Sequence, residues 1–222
     1  MARLSRLVVP GQAHHLVQRG HNGQPVFLDE QDRRLYLEAL RDALRSQGVV
    51  LHAYALQDQQ VQLLLRPPSE AALSRMMQAL GRRYVAGFNR RHGRSGTLWD
   101  GRFRAGVVQG GTPLLQCLRL IDGLPGADRW GSAPHRLGRQ RDPLVTDPPE
   151  FWQLGNTPFE REAAYGELLA QGLSAAEAAR LEHAAANGWA HGDAAFQAQM
   201  AEAAGRPVRP RPRGRPPRAA PA

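Results

Sequence analysis

Apolar and polar positions change period several times along the chain, and each change marks an element. His14-His15-Leu16-Val17-Gln18-Arg19 alternates and stops at Gly20, the pattern of a first strand. Asp29 is placed to cap a helix that runs to Gln47. Its buried stripe is Leu35, Ala39, Leu40, Ala43 and Leu44, and Gly48 ends it. Residues 49–56 and 60–66 are apolar and bracket the polar break Gln57-Asp58-Gln59, which predicts a hairpin closed by Pro67-Pro68. Ser69 can cap a second helix with the stripe Leu73, Met76, Met77, Leu80, Tyr84 and Phe88. A loop at 92–96 leads to a last strand at 103–108, and a short helix at 113–121 follows. The succession β-α-β-β-α-β predicts an α+β fold of the ferredoxin-like split type, a sheet with two helices on one face.

Beyond this domain (1–122) the pattern weakens. Residues 123–150 are rich in Gly, Pro, Arg and Asp and read as a linker. Thr157-Pro158-Phe159-Glu160 then forms a capping box with proline at the first helical position, opening a helix to Gln171. Gly172-Leu173-Ser174 turns the chain, and Ser174 with Glu177 makes a second capping box for a helix ending at Asn187-Gly188. A third helix is expected over 193–204. The region 151–205 therefore has the outline of a small all-α helix-turn-helix module. The tail, 206–222, alternates Arg and Pro and is expected to be disordered and extended.

Composition narrows the function. The formal charge is +9, and all 29 basic residues are arginine. No apolar run approaches the roughly 18–20 residues of a membrane span. MARLSRLVVPG lacks the apolar stretch of a secretory signal, so a cytoplasmic location is expected. Cys117, the single cysteine, excludes a disulfide framework and any all-cysteine zinc site. Charge is also uneven. Residues 1–100 hold 14 Arg against 8 acids and 101–149 hold 7 against 4, whereas 150–205 hold 2 against 8 and 206–222 hold 6 against none. Arginine forks suit phosphate, so a polyanion is the expected partner.

The densest cluster lies on the second helix and the loop after it. Arg75, Arg82, Arg83, Arg90, Arg91, Arg94, Arg102 and Arg104 stand against one acid, Asp100. With the apolar stripe facing the core, most of them should project into solvent together, and Trp99 among glycines could stack an unpaired base. The competing reading is a merely solvated basic face. Arg209, Arg211, Arg213 and Arg215 on the tail could track a DNA backbone or groove, or simply solubilise the chain. The acidic helix pair at 158–187 makes a poor phosphate surface, which favours a packing or protein-interaction role.

His14-His15…Gln18-Arg19-Gly20, His52-Ala53-Tyr54, Leu63-Leu64-Leu65, Leu73-Ser74-Arg75-Met76-Met77-Gln78, Gly81-Arg82-Arg83-Tyr84, Phe88-Asn89-Arg90-Arg91 and Gly96-Thr97-Leu98-Trp99-Asp100-Gly101-Arg102-Phe103 together resemble the REP-associated tyrosine transposases. These form the single-tyrosine branch of the HUH endonucleases. Leu154-Gly155-Asn156-Thr157-Pro158-Phe159 and the Arg/Pro run from Arg209 to Pro216 are similar to the extension of longer members. The resemblance implies DNA transposition on hairpin or single-stranded repeat DNA, with two strand histidines holding a divalent metal and a tyrosine attacking the scissile phosphate. It also makes a homodimer plausible.

The chain departs from that pattern at each chemical position. The His-apolar-His motif falls on Gln60-Val61-Gln62, and the nucleophile's place falls on Leu120, four residues before Leu124-Pro125. Glutamine can still ligate a hard cation. Leucine cannot attack a phosphate. Tyr84 lies on an apolar stripe, Cys117 one turn before Leu120, and His14, His15 and His52 on strands; each is more simply structural, as Asp58 is more simply a turn residue. Three readings stand: a DNA-binding protein that no longer cuts and needs no cofactor, an active Mg2+- or Mn2+-dependent transposase using non-standard residues, or a non-functional remnant.

Overall fold

The computed structural model describes residues 6–210. Its elements are β1 (Ala13–Arg19), α1 (Glu30–Gln47), β2 (Val50–Gln57), β3 (Gln60–Arg66), α2 (Ala72–Arg91), β4 (Arg104–Val108) and α3 (Thr112–Asp122), which give the expected succession. There follow α4 (Ala127–Trp130), α5 (Ala133–Arg136), α6 (Pro149–Trp152), α7 (Pro158–Gln171), α8 (Ala175–Asn187), β5 (Ala190–His191) and α9 (Ala194–Ala204). The sheet runs β2-β3-β1-β4-β5, antiparallel except that β5 lies parallel to β4. Two residues cannot show a period, so β5 had no sequence signal.

Local chemistry sets the helix ends. The Asp29 carboxylate accepts from Asp32 N–H, Gly48 closes α1 in the left-handed region, and α7 and α8 both open with complete capping boxes. Helix α2 differs from expectation: it opens at Ala72, whose N–H donates to the Ser69 carbonyl, and the Ser69 hydroxyl makes no cap.

Period-2 alternation sorts the strands onto two faces. Leu16, Leu63 and Leu65 face α1 and α2, where Tyr36, Leu40, Met76, Tyr84 and Phe88 complete the larger core. Ala13, Ala53, Ala55 and Leu64 face the other way, against Leu114, Leu118 and Ile121 of α3, Tyr165 of α7 and Leu181 of α8. Both faces are therefore covered, and β2 and β3 are buried nearly throughout.

Residues 123–150, read from composition as a linker, are packed onto this second face. The reason is a buried polar cluster. Arg136, at 0% exposure, donates from Nε to Asp122 Oδ2 (2.6 Å), from Nη2 to Asp122 Oδ1 (2.9 Å) and from Nη1 to the His52 carbonyl (2.6 Å). Ser132 Oγ donates to Asp122 Oδ1 (2.6 Å) and accepts from Tyr54 N–H (3.0 Å), while Tyr165 donates its phenol proton to Asp122 Oδ2 (2.6 Å). Outside this centre, Tyr54 Oη donates to Asp142 and Thr146 N–H to the Leu51 carbonyl.

The helices of 151–205, expected as a separate all-α module, dock on the same face and supply β5. Gly106 of β4 permits the approach: a Cβ there would stand 2.7 Å from the Trp189 carbonyl oxygen and 2.8 Å from that of Ala184.

Removing the Arg136 side chain leaves the Asp122 carboxylate buried without its counter-charge. Arg136→Ala is expected to lower unfolding free energy by about 3–5 kcal/mol. Arg82→Ala, on an exposed face, should stay within about 0.5 kcal/mol of the parent. Urea denaturation checks both.

Candidate nucleic-acid interface

The arginines fall into two sets on opposite sides of the molecule. On α2 the apolar residues Leu73, Met76, Met77, Leu80, Tyr84 and Phe88 are buried, which turns Arg75, Arg82, Arg83 and Arg90 outward. Among the described residues, Arg75, Arg82 and Arg90 have no side-chain partner, whereas Arg83 pairs with Asp42 of α1. Arg91, at the C-terminal end of the helix, stays exposed but pairs with Asp29 and Asp32 at the start of α1. That pairing holds the Asp29 carboxyl down to about 2. Arg94 lies over the Phe88 ring at 5.5 Å. Arg91 and Arg94 thus have partners within the fold, whereas the side chains of Arg75, Arg82 and Arg90 have none among the described residues.

Trp99 is also reassigned. It is 6% exposed and packs edge-on against Tyr36 at 6.3 Å and tilted against Tyr84 at 6.2 Å. A base cannot stack on it. The loop folds inward because Leu98 and Trp99 supply apolar surface that closes the α1/α2 core, pinned by His21 N–H to the Leu98 carbonyl and Asp100 N–H to the Arg19 carbonyl.

The second set lies on the other face of the sheet. Arg19 and Val17 of β1, Gln60 and Gln62 of β3, and Arg104 of β4 share that face by register, and Arg102 joins them two residues before Arg104. They line a cavity of about 160 Å³, with Asp100 on one side and Glu182 and Ala186 of α8 on the other. A second cavity of about 210 Å³ shares Arg102 and Arg104 and adds Arg6 and Arg206. Sequence reasoning missed these last two. Arg6 stacks on Phe103 at 3.9 Å, and Arg206 donates to the Gly188 carbonyl at 2.7 Å; their neighbours across the fold could not be read from spacing.

The two glutamines do not fit a cation. Gln62 is buried and its Oε1 accepts from His15 Nε2 at 2.7 Å. Burial pushes His15 down to about 4, so this imidazole is neutral at pH 7. Gln60 Oε1 accepts from Arg19 Nε at 3.3 Å, and its Nε2 donates to Gln57 at 2.7 Å. Each amide oxygen already accepts one hydrogen bond, and three guanidinium groups, Arg19, Arg102 and Arg104, surround the site and repel a cation. Leu120 does not line this cavity; it is packed in the core of the second face. Among the described residues, one cluster brings metal-ligand atoms within 4.8 Å of one another, Asp29, Asp32 and His92. Arg91 already donates into it, which makes it an ion-pair clasp between α1 and α2.

All four tyrosines are buried. Tyr54 donates to Asp142, Tyr84 to the Val26 carbonyl and Tyr165 to Asp122, and burial raises each phenol, Tyr36 included, above the ordinary tyrosine range. Cys117 is fully buried and burial raises its thiol as well. None of these groups meets solvent as a nucleophile. Of the tail arginines, Arg209 is exposed, while Arg211, Arg213 and Arg215 lie outside the described residues. No helix is long and apolar enough to cross a membrane among the described residues.

Two expected outcomes follow from these positions. Trp99→Ala should destabilise the fold by about 3–5 kcal/mol, as a core truncation, read as a loss in thermal unfolding. Burial also lowers His14 and His15 from 6.5 to about 4. The unfolded chain therefore binds more protons between those values, and stability should be retained above pH 6.5 and fall as pH drops towards 4. A melting-temperature series across that range measures it.

No family model matches the chain, and no curated protein matches it. Among solved structures it is similar to a REP-associated tyrosine transposase bound to a REP hairpin. The match has a TM-score of 0.52 at 13% identity and covers 68% of this chain and 93% of that one. It is also similar to a structure described as a transposase of Deinococcus radiodurans R1, with a TM-score of 0.38 at 23% identity over 49% of this chain and 88% of that one. The chain has the α+β fold of the REP-associated tyrosine transposase structure over the 68% of its length that the match covers.

Proposed function

We propose that the protein binds hairpin or single-stranded repeat DNA and does not cut it. The observation that carries this reading is the separation of binding from chemistry on one scaffold. Exposed arginines are kept on α2 and around the Gln60–Gln62 cavity, while leucine stands at the nucleophile's place and every tyrosine is buried. The fold shared with a hairpin-bound transposase supports DNA as the polyanion. A remnant drifting without constraint would accumulate polar residues in its cores; Leu63, Leu64, Leu65, Leu73 and Leu80 remain apolar and buried. The active alternative is disfavoured because Arg19, Arg102 and Arg104 line the cavity with Gln60 and Gln62 and repel a cation there.

Arginine–phosphate contacts release condensed counterions, so affinity falls steeply with salt. A labelled hairpin oligonucleotide with a single-stranded extension should bind the full chain, with a linear loss of log K against log salt. Arg82→Ala and Arg90→Ala should each weaken binding uniformly across hairpin sequences and reduce the salt slope by about 1. With Mg2+ or Mn2+ present, denaturing gels should show no covalent protein–DNA adduct. An adduct would overturn the non-cutting part of the reading, and salt-independent or absent binding would overturn the DNA-binding part.

A further inference from the structure

We propose that Arg19, Arg102 and Arg104 form a metal-independent cradle for one backbone phosphate of the bound nucleic acid, in the cavity they share with Gln60 and Gln62. The inference rests on the DNA-binding reading above and assigns the atoms that meet the backbone.

Three observations carry it. Strand register brings two of the arginines together, Arg19 opposing Gln60 and Arg104 opposing Val17, and Arg102 in the loop before β4 lines the same cavity of about 160 Å³. The Gln62 and Gln60 amide oxygens beside them accept from His15 and Arg19 and bring no negative charge to attract a cation. The positive charge at this place therefore comes from fixed guanidinium groups, which are always protonated and fork towards phosphate oxygens.

The third observation is the charge balance. Three arginines face two carboxylates, Asp100 and Glu182, which leaves a single net positive charge. That matches the one negative charge of a phosphodiester better than a dianionic terminal phosphate. Donors are also available. Arg102 has no side-chain partner among the described residues, Arg19 uses only Nε on Gln60, and Arg104 uses only Nη1, on the Ala186 carbonyl at 3.2 Å. The adjoining cavity that shares Arg102 and Arg104 has no carboxylate in its lining, so the backbone has a cationic exit beside the cradle. Because Glu182 and Ala186 belong to α8, the C-terminal helices supply one wall of the cavity.

The test titrates the full chain with a fluorescently labelled DNA hairpin carrying a single-stranded extension, in EDTA and again in Mg2+. Variants are Arg102→Ala, Arg19→Ala and Glu182→Gln, with Arg82→Ala on α2 as the reference. The expected result is equal affinity with and without metal, a loss of roughly tenfold for Arg102→Ala and Arg19→Ala, and a gain of about twofold for Glu182→Gln. Arg102→Ala removes an exposed side chain without a partner, so its melting temperature should match the parent; if Arg19→Ala unfolds, Arg102→Ala decides. Binding that requires metal overturns the cradle. So does binding that is weakened by Arg82→Ala but unchanged in Arg102→Ala. Either result leaves the DNA-binding reading standing. Absence of binding under every condition overturns that reading and the cradle with it.

Discussion

The buried Arg136–Asp122 ion pair is the constraint on which the second face of the molecule depends. Two charges at almost no solvent exposure are costly to desolvate, and they are tolerated because both Asp122 oxygens accept from Arg136 while Ser132, Tyr165 and the His52 carbonyl supply further hydrogen bonds. The pair's partners come from α3, α5, α7 and strand β2. Satisfying one carboxylate therefore fixes four elements at once. The acidic C-terminal helices are oriented relative to the sheet by this cluster, by Tyr165 above all, and with them α8 over the arginine cavity.

Much of the helix pattern was legible because its signals are local. Caps at Asp29, Thr157 and Ser174 and stops at Gly48 and Gly188 act within four residues, so sequence spacing reports them directly. The stripe from Leu73 to Phe88 is read by helical period alone. What failed was long-range. Nothing local distinguishes Arg136 from the surface arginines beside it, since its burial depends on a carboxylate fourteen residues away and a backbone carbonyl eighty-four residues away. Trp99 misled for the converse reason: glycines around it signal a loop, but not which way the loop faces.

One signal was present and under-read. Residues 51–56 and 61–65 are apolar almost without alternation, and a strand buried on one face alternates. The near-continuous run already required a second covering layer. Glycine- and proline-rich composition in 123–150 pointed to exposure, whereas proline and glycine there serve the tight turns between the short helices α4, α5 and α6.

Strand β5 is only Ala190 and His191, yet it occupies the open edge of β4. An uncovered strand edge presents unpaired N–H and C=O groups to any other strand of matching shape. Two residues from the C-terminal region thus act as a guard against edge-to-edge association. A chain shortened before β5 would expose β4, whose central Gly106 offers no side chain to obstruct an incoming strand. Such a shortened protein should be prone to self-association through its sheet.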